Sequence, residues 1–224
     1  MGSTLAFDVY GTLIDTAGVV ATLREYLGNE APRFSDAWRQ KQLEYSFRRA
    51  AMGAYQNFSV CTSEALEYTS ALFGLKLDSK QHDRLVATYR ILPAFHEVRG
   101  ALDLLGATGY RLFAFSNGLP GDLESLLAHS DISDCFIDIV SVDEIRSFKP
   151  DPAVYRHMLD RVESTPEKTW LISSNPFDIL GAANVGLSTA WVRRHPGIPF
   201  DPWGKQPTAT ISSLAHLVEA LKTV

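Results

Sequence analysis

Short apolar runs recur along this chain between stretches of helical periodicity, except across one long segment that has none. The runs fall at residues 5–8, 111–116, 136–140, 170–173 and 189–192, with a weaker one at 209–211. Helical patterns fill the intervals at 98–107, 152–162, 177–185 and 214–221, and Gly109, Gly118 and Gly186 stand at turns between elements. Short strands alternating with helices are joined by crossovers, which give a parallel sheet with helices on its faces. The expected fold is therefore α/β, with a Rossmann-like parallel sheet as its core.

The exceptional segment runs from about Thr16 to Leu92 and reads as helix alone. Phe34, Trp38 and Tyr45 share one helical face, while Leu66 with Phe73 and Leu85 with Tyr89 mark later helices. Pro93 closes the segment. A helical block inserted after the first strand predicts an all-helical cap over residues 16–92, mounted on a core made of 1–15 and 93–224. A chain of 224 residues is long enough for a core and such an insertion.

Composition narrows the possible partners. A formal net charge of -5 without any basic stripe argues against a nucleic-acid ligand. No stretch is long and apolar enough to span a bilayer, and no basic segment precedes the first strand, so neither a membrane anchor nor a signal peptide is expected. Cys61 and Cys135 belong to no CxxC or Cys/His pattern. They predict free thiols in a reducing cytoplasm, with neither a disulfide framework nor a zinc site.

Open parallel sheets bind ligands beyond the carboxyl ends of their strands. Four ends here carry polar residues that can meet in one crevice. They are Asp8 with Tyr10 and Thr12, Ser116 with Asn117, Lys149 in a later loop, and Ser173-Ser174-Asn175 with Asp178. Each has a plain structural alternative: an Asx turn at Asp8, a helix cap at Ser116, a solvated loop lysine at 149.

Their order settles the choice. Leu5-Ala6-Phe7-Asp8-Val9-Tyr10-Gly11-Thr12-Leu13 resembles the first motif of the haloacid dehalogenase superfamily, whose aspartate is a nucleophile. Ser116-Asn117-Gly118, Phe148-Lys149-Pro150-Asp151-Pro152 and Ser173-Ser174-Asn175-Pro176-Phe177-Asp178 resemble the second, third and fourth motifs. Phosphatases of that superfamily have a second aspartate where Tyr10 stands and a Gly-Asp pair where Ser173-Ser174 stands. Those acids protonate a leaving alcohol and hold Mg²⁺, which needs a near-octahedral set of oxygens. A halide leaving group needs no proton.

In the inserted segment, Trp38-Arg39-Gln40-Lys41-Gln42-Leu43-Glu44-Tyr45 and Met52-Gly53-Ala54-Tyr55-Gln56-Asn57-Phe58 resemble the cap signature of L-2-haloacid dehalogenases. Arg39 and Leu43, four apart, and Gln40 and Leu43, three apart, are expected on one helix face. Phe177 departs from that family, where well-known members have tryptophan, and is expected to alter pocket size.

The resemblance covers essentially the whole chain and implies hydrolysis of short L-2-haloalkanoates to D-2-hydroxy acids, without metal or other cofactor. It implies Asp8 as the nucleophile, Lys149 keeping it ionised, Thr12 orienting it, and Asp178 with Ser173 and Asn175 activating water; Tyr155 joins this catalytic set. Ser116 would hold the substrate carboxylate. Arg39, Gln40, Tyr10 and Asn117 would surround the halide, and Leu43, Phe58 and Phe177 would line the alkyl pocket. A homodimer is also implied. The alternatives are a phosphatase or fluoroacetate-preferring relative of the same fold, and an idle homologue that binds a small carboxylate.

Overall fold

In the computed structural model, which describes residues 3–223, the first strand, β1 (Thr4–Asp8), is buried along its whole length. It lies inside a six-stranded, wholly parallel sheet of order β3-β2-β1-β4-β5-β6. The others are β2 (Arg111–Ser116), β3 (Asp138–Ser141), β4 (Thr169–Ser173), β5 (Ser188–Val192) and β6 (Ala209–Ile211). The expected strands are all present. The third starts two residues later than expected, because a helical turn at Ser133–Cys135 leads into it and Ile137 faces solvent.

The sheet order places the chemistry. From β1 the chain adds β2 and β3 on one side, then crosses back to add β4 on the other. The topological switch therefore lies between β1 and β4, where parallel sheets open a crevice at their carboxyl edge. Asp8 pairs with Phe115, and Phe7 pairs with Ile172. Asp8, Ser116 and Ser173 consequently leave the sheet at the same edge.

The segment 16–92 carries α1 (Val19–Leu27), α2 (Ala31–Met52), α3 (Phe58–Phe73) and α4 (Ser79–Thr88) and, among the described residues, no strand. Phe34 and Trp38 are buried as their spacing requires, with Trp38 edge-on to Tyr89 at 5.0 Å. Tyr45, two turns further along, is half-buried. Asn57 caps α3 by accepting from the Val60 N–H at 3.1 Å, which fixes Phe58 at the start of that helix. The chain leaves and re-enters the core side by side: the Asp15 N–H donates to Pro93 O at 2.8 Å, and Phe95 N–H to Leu13 O at 3.0 Å.

Around the sheet lie α5 (Val98–Ala107), α6 (Pro120–His129), α7 (Pro152–Arg161), α8 (Pro176–Asn184) and α9 (Leu217–Lys222). Proline at the first position of α6, α7 and α8 is compatible with helix initiation, since that N–H has no intrahelical partner. The helix expected at 214–221 begins as a tighter turn at Leu214–His216 before α9. No helix among the described residues is long and apolar enough to cross a membrane.

Candidate active site

Asp8 ends β1 almost out of reach of solvent, so its charge needs partners. It has four. Oδ2 accepts from Asn175 Nδ2 at 2.7 Å, Thr12 Oγ1 at 2.8 Å and Ser173 Oγ at 3.2 Å. Oδ1 accepts from Lys149 Nζ at 3.2 Å. Thr12 has a single hydroxyl proton, and it goes to the carboxylate rather than to Ser174 Oγ, which is farther away at 3.2 Å and uncharged. The turn that returns Thr12 towards Asp8 passes through Gly11 at φ +86°, a region costly for any residue with a β-carbon.

The Lys149 ammonium is fully buried and spends its three protons on Asp8, on Asp178 Oδ2 at 2.9 Å and on the Phe115 carbonyl at 2.9 Å. Asn117 fixes the lysine backbone, its Oδ1 accepting from the Lys149 N–H at 3.0 Å. Asp178 lies in the first turn of α8, where a helix favours negative charge. Its second oxygen accepts from Tyr155 Oη at 2.8 Å. Burial outweighs the pull of Lys149 and raises the Asp178 carboxyl above the usual aspartate range, and the neighbouring Asp8 charge adds to the rise. Burial likewise holds the Tyr155 phenol well above its ordinary value, so it remains a proton donor.

Asn175 occupies the N-cap position of α8 yet makes no side-chain cap. Its amide goes instead to Asp8 and to the Tyr10 carbonyl, the latter at 3.2 Å. A capping bond has been exchanged for a contact with Asp8. Ser116, fully buried, accepts from the Gly118 N–H at 3.2 Å, and among the described residues its own proton has no acceptor.

The inserted helices roof this cluster. Arg39 on α2 donates from Nη2 to the same Tyr10 carbonyl at 3.4 Å. Phe58 is buried, 6.2 Å from the Tyr10 ring and 6.1 Å from Phe148. A cavity of about 20 Å³, room for one water molecule, lies among Tyr10, Phe58, Thr62, Tyr89 and Gly118. On the far side of Arg39 and Asn175 a cavity of about 500 Å³ opens past Trp191 and Ile198. Leu43 is half-buried.

Two expected pocket residues stand elsewhere. Gln40 is exposed, and the glutamine of α2 that turns inward is Gln42, which shares the buried face of Trp38 four residues earlier. Two positions along a helix rotate a side chain by about 200°, so Gln40 and Gln42 cannot face the same way. Phe177 adjoins Asp178 on α8; with Asp178 turned into the cluster, its ring is swung aside. It packs edge-on against Phe47 of α2 at 5.0 Å, beside Leu180 and Trp203. Gln42 was legible in principle as a polar residue on an apolar face. Ser174, whose N–H donates to Thr12 Oγ1 at 2.8 Å, stood in the motif without a role.

Mg²⁺ does not fit this donor set. The Lys149 ammonium already lies between the two carboxylates that would hold the ion, and like charge at that distance repels it. Among the described residues no group of three or more His, Cys, Asp or Glu side chains converges.

A strand-end carboxylate with one oxygen saturated, the other open, and a second buried carboxylate beside it is the equipment of a hydrolase that reacts through an aspartyl intermediate. Residues 3–186 match the haloacid dehalogenase-like hydrolase family, and the chain belongs to it. It is 35% identical to an (S)-2-haloacid dehalogenase of Pseudomonas putida, with 95% of this chain and 93% of that protein covered. It is 36% identical to haloacetate dehalogenase H-2 of Moraxella sp. (strain B), with 96% of each covered. The L-2-haloacid dehalogenase of Xanthobacter autotrophicus with chloropropionic acid covalently bound superposes with a TM-score of 0.93 at 30% identity, over 99% of both chains.

Proposed function

We propose that this chain hydrolyses short L-2-haloalkanoic acids to D-2-hydroxyalkanoic acids through an ester on Asp8. The observation that carries this reading is the unequal state of the two Asp8 oxygens. Three donors immobilise Oδ2, whereas Oδ1 meets only Lys149 among the described residues and keeps a lone pair for attack.

Oδ1 attacks C2 of the substrate from the side opposite the halogen, and the carbon–halogen electron pair leaves as halide. Configuration at C2 inverts in this step. Asp178 then removes a proton from water, which adds to the Asp8 carboxyl carbon; the raised affinity of Asp178 for protons suits it to act as this base at neutral pH. Collapse releases the 2-hydroxy acid, whose alkoxide takes the proton back from Asp178, and the water's second proton, left on the Asp8 carboxyl, passes to solvent to restore the carboxylate. Thr12, Ser173, Asn175 and Lys149 hold the oxygens on which charge appears. Tyr155 keeps Asp178 in place.

Ser116 and the N–H groups after it hold the substrate carboxylate, and Arg39 with Tyr10 and Asn117 faces the departing halide. Leu43 and Phe58 line the alkyl pocket, while the Phe47–Phe177 contact closes the helical cap, residues 16–92, against the core formed by 1–15 and 93–224. The protein acts in the cytoplasm as a homodimer, a point that sedimentation checks. Chloride release from L-2-chloropropionate in excess EDTA tests the reaction. Release unaffected by the chelator is the expected result; phosphatase activity restored by Mg²⁺ would overturn it.

A further inference from the structure

Gln42 is completely buried in the middle of the inserted helices, where an amide must find partners for both of its ends. Its Oε1 accepts from Arg39 Nη1 at 2.7 Å, and its Nε2 donates to Thr62 Oγ1 on α3. The Thr62 hydroxyl donates in turn to the Phe58 carbonyl at 2.9 Å, and the Thr62 carbonyl accepts the Trp38 indole N–H at 2.9 Å.

Proton counting fixes the direction of this relay. A threonine has one hydroxyl proton, and here it is committed to Phe58 O. Towards Gln42 the same oxygen can only accept, so the amide nitrogen must face Thr62 and the amide oxygen must face Arg39. A flipped amide would set N–H groups against the guanidinium and oxygen against oxygen. The acceptor offered to Arg39 is therefore held from behind by two helices.

The acceptor is also neutral. Among the described residues, the hydrogen-bond acceptors of Arg39 are the Gln42 amide oxygen and the Tyr10 carbonyl. A carboxylate in either place would hold the guanidinium equally well but cancel the charge it presents to an anion. An amide holds it without discharging it.

We propose that Gln42, locked by Thr62, is a positioning residue that aims the full charge of Arg39 at the departing halide. This rests on the role given to Arg39 under the proposed function. Chloride is the poorer leaving group and depends more on that charge than bromide does, so the ratio of the two rates reports on Arg39 independently of general damage to the fold.

The experiment compares single-turnover halide release from L-2-chloropropionate and L-2-bromopropionate in Gln42→Glu, Gln42→Leu, Thr62→Val and Arg39→Ala, with a thermal melt for each. Gln42→Glu keeps the size and the acceptor but discharges the guanidinium. Its second oxygen faces a hydroxyl whose proton is committed to Phe58, so it is expected to melt below the parent. It is expected to slow chloride release about 10- to 100-fold, with bromide release slowed less. Gln42→Leu is expected to raise the bromide-to-chloride ratio as well. Should the Gln42 variants fail to fold, Thr62→Val, which releases the amide to flip, is expected to raise the same ratio. Arg39→Ala impaired while the Gln42 and Thr62 variants keep the parental ratio would overturn the positioning role alone. Arg39→Ala with parental rates would overturn the halide role of Arg39, and the positioning role with it.

Discussion

Tyr155 and Gly181 are packed so closely across α7 and α8 that a β-carbon at position 181 would lie 2.4 Å from the phenol oxygen. The missing side chain is what lets the tyrosine reach Asp178, to which it donates at 2.8 Å. A glycine inside a helix and a buried tyrosine on another are thus one feature of the setting that holds Asp178.

Gly181→Ala tests this packing. Alanine ordinarily favours a helix over glycine by about 1 kcal/mol. Here the added methyl meets a ring that is fully buried, and overpacking of that kind costs about 1–3 kcal/mol. The clash is expected to win, so the variant should unfold at lower denaturant concentration and lose activity. A gain in stability with parental activity would show that the ring has room to move.

The acid limb of the pH–rate profile should report Asp178. Its carboxyl is raised by burial, and the base must be ionised to work, so activity is present above its pKa and lost as pH falls through it. The inflection is therefore expected above the ordinary aspartate value of about 3.9. Tyr155→Phe removes a donor that favours the ionised form, which moves the acid limb to still higher pH. An unmoved limb in Tyr155→Phe would separate Asp178 from the rate-limiting ionisation.

Lys149 is the cation shared by Asp8 and Asp178, so Lys149→Ala strips both carboxylates of their counter-charge inside the protein. The loss of a charge contact to the reacting group is expected to lower kcat on the order of 10²-fold or more. Breaking a buried pair from one side is also expected to destabilise the fold by about 3–5 kcal/mol. Kinetics and chemical denaturation together check this, and near-parental kcat in a folded variant refutes it.

Isotope placement tests the nucleophile. A base at either Asp8 or Asp178 directing water onto C2 would invert the substrate just as the ester route does, so stereochemistry cannot separate them. With enzyme in excess in H₂¹⁸O, a single turnover should leave the product hydroxyl largely unlabelled. After many turnovers, mass spectrometry should find ¹⁸O in the peptide containing Phe7-Asp8-Val9 and none in that containing Asp178. Label in the single-turnover product and none in Asp8 would show direct attack by water.

The sheet and the residues at its carboxyl edge were legible in the sequence because both are local. An apolar run followed by Asp8-Val9-Tyr10-Gly11-Thr12 states the strand, the turn and the polar group within a few positions, and so do Ser116-Asn117 and Ser173-Ser174-Asn175. What those residues do to one another was not local. That Asp8 holds one oxygen saturated and one open follows from Thr12 nearby together with Ser173 of β4, Asn175 just after it and Lys149 in the loop before α7, three donors from positions over 130 apart in the chain. The raised carboxyl of Asp178 likewise depends on how completely α8 is covered.

The inserted helices divided in the same way. Periodicity placed Phe34 and Trp38 on a buried face, but the polar spacing of Arg39, Gln40 and Leu43 fits more than one rotation of α2. Packing against α3 chose the rotation that buries Gln42 against Thr62 and leaves Gln40 in solvent. A sequence specifies which side chains a helix carries. Which of them meet the site is decided by the surface the helix packs on, because burial of its apolar face, not its polar pattern, dominates the free energy.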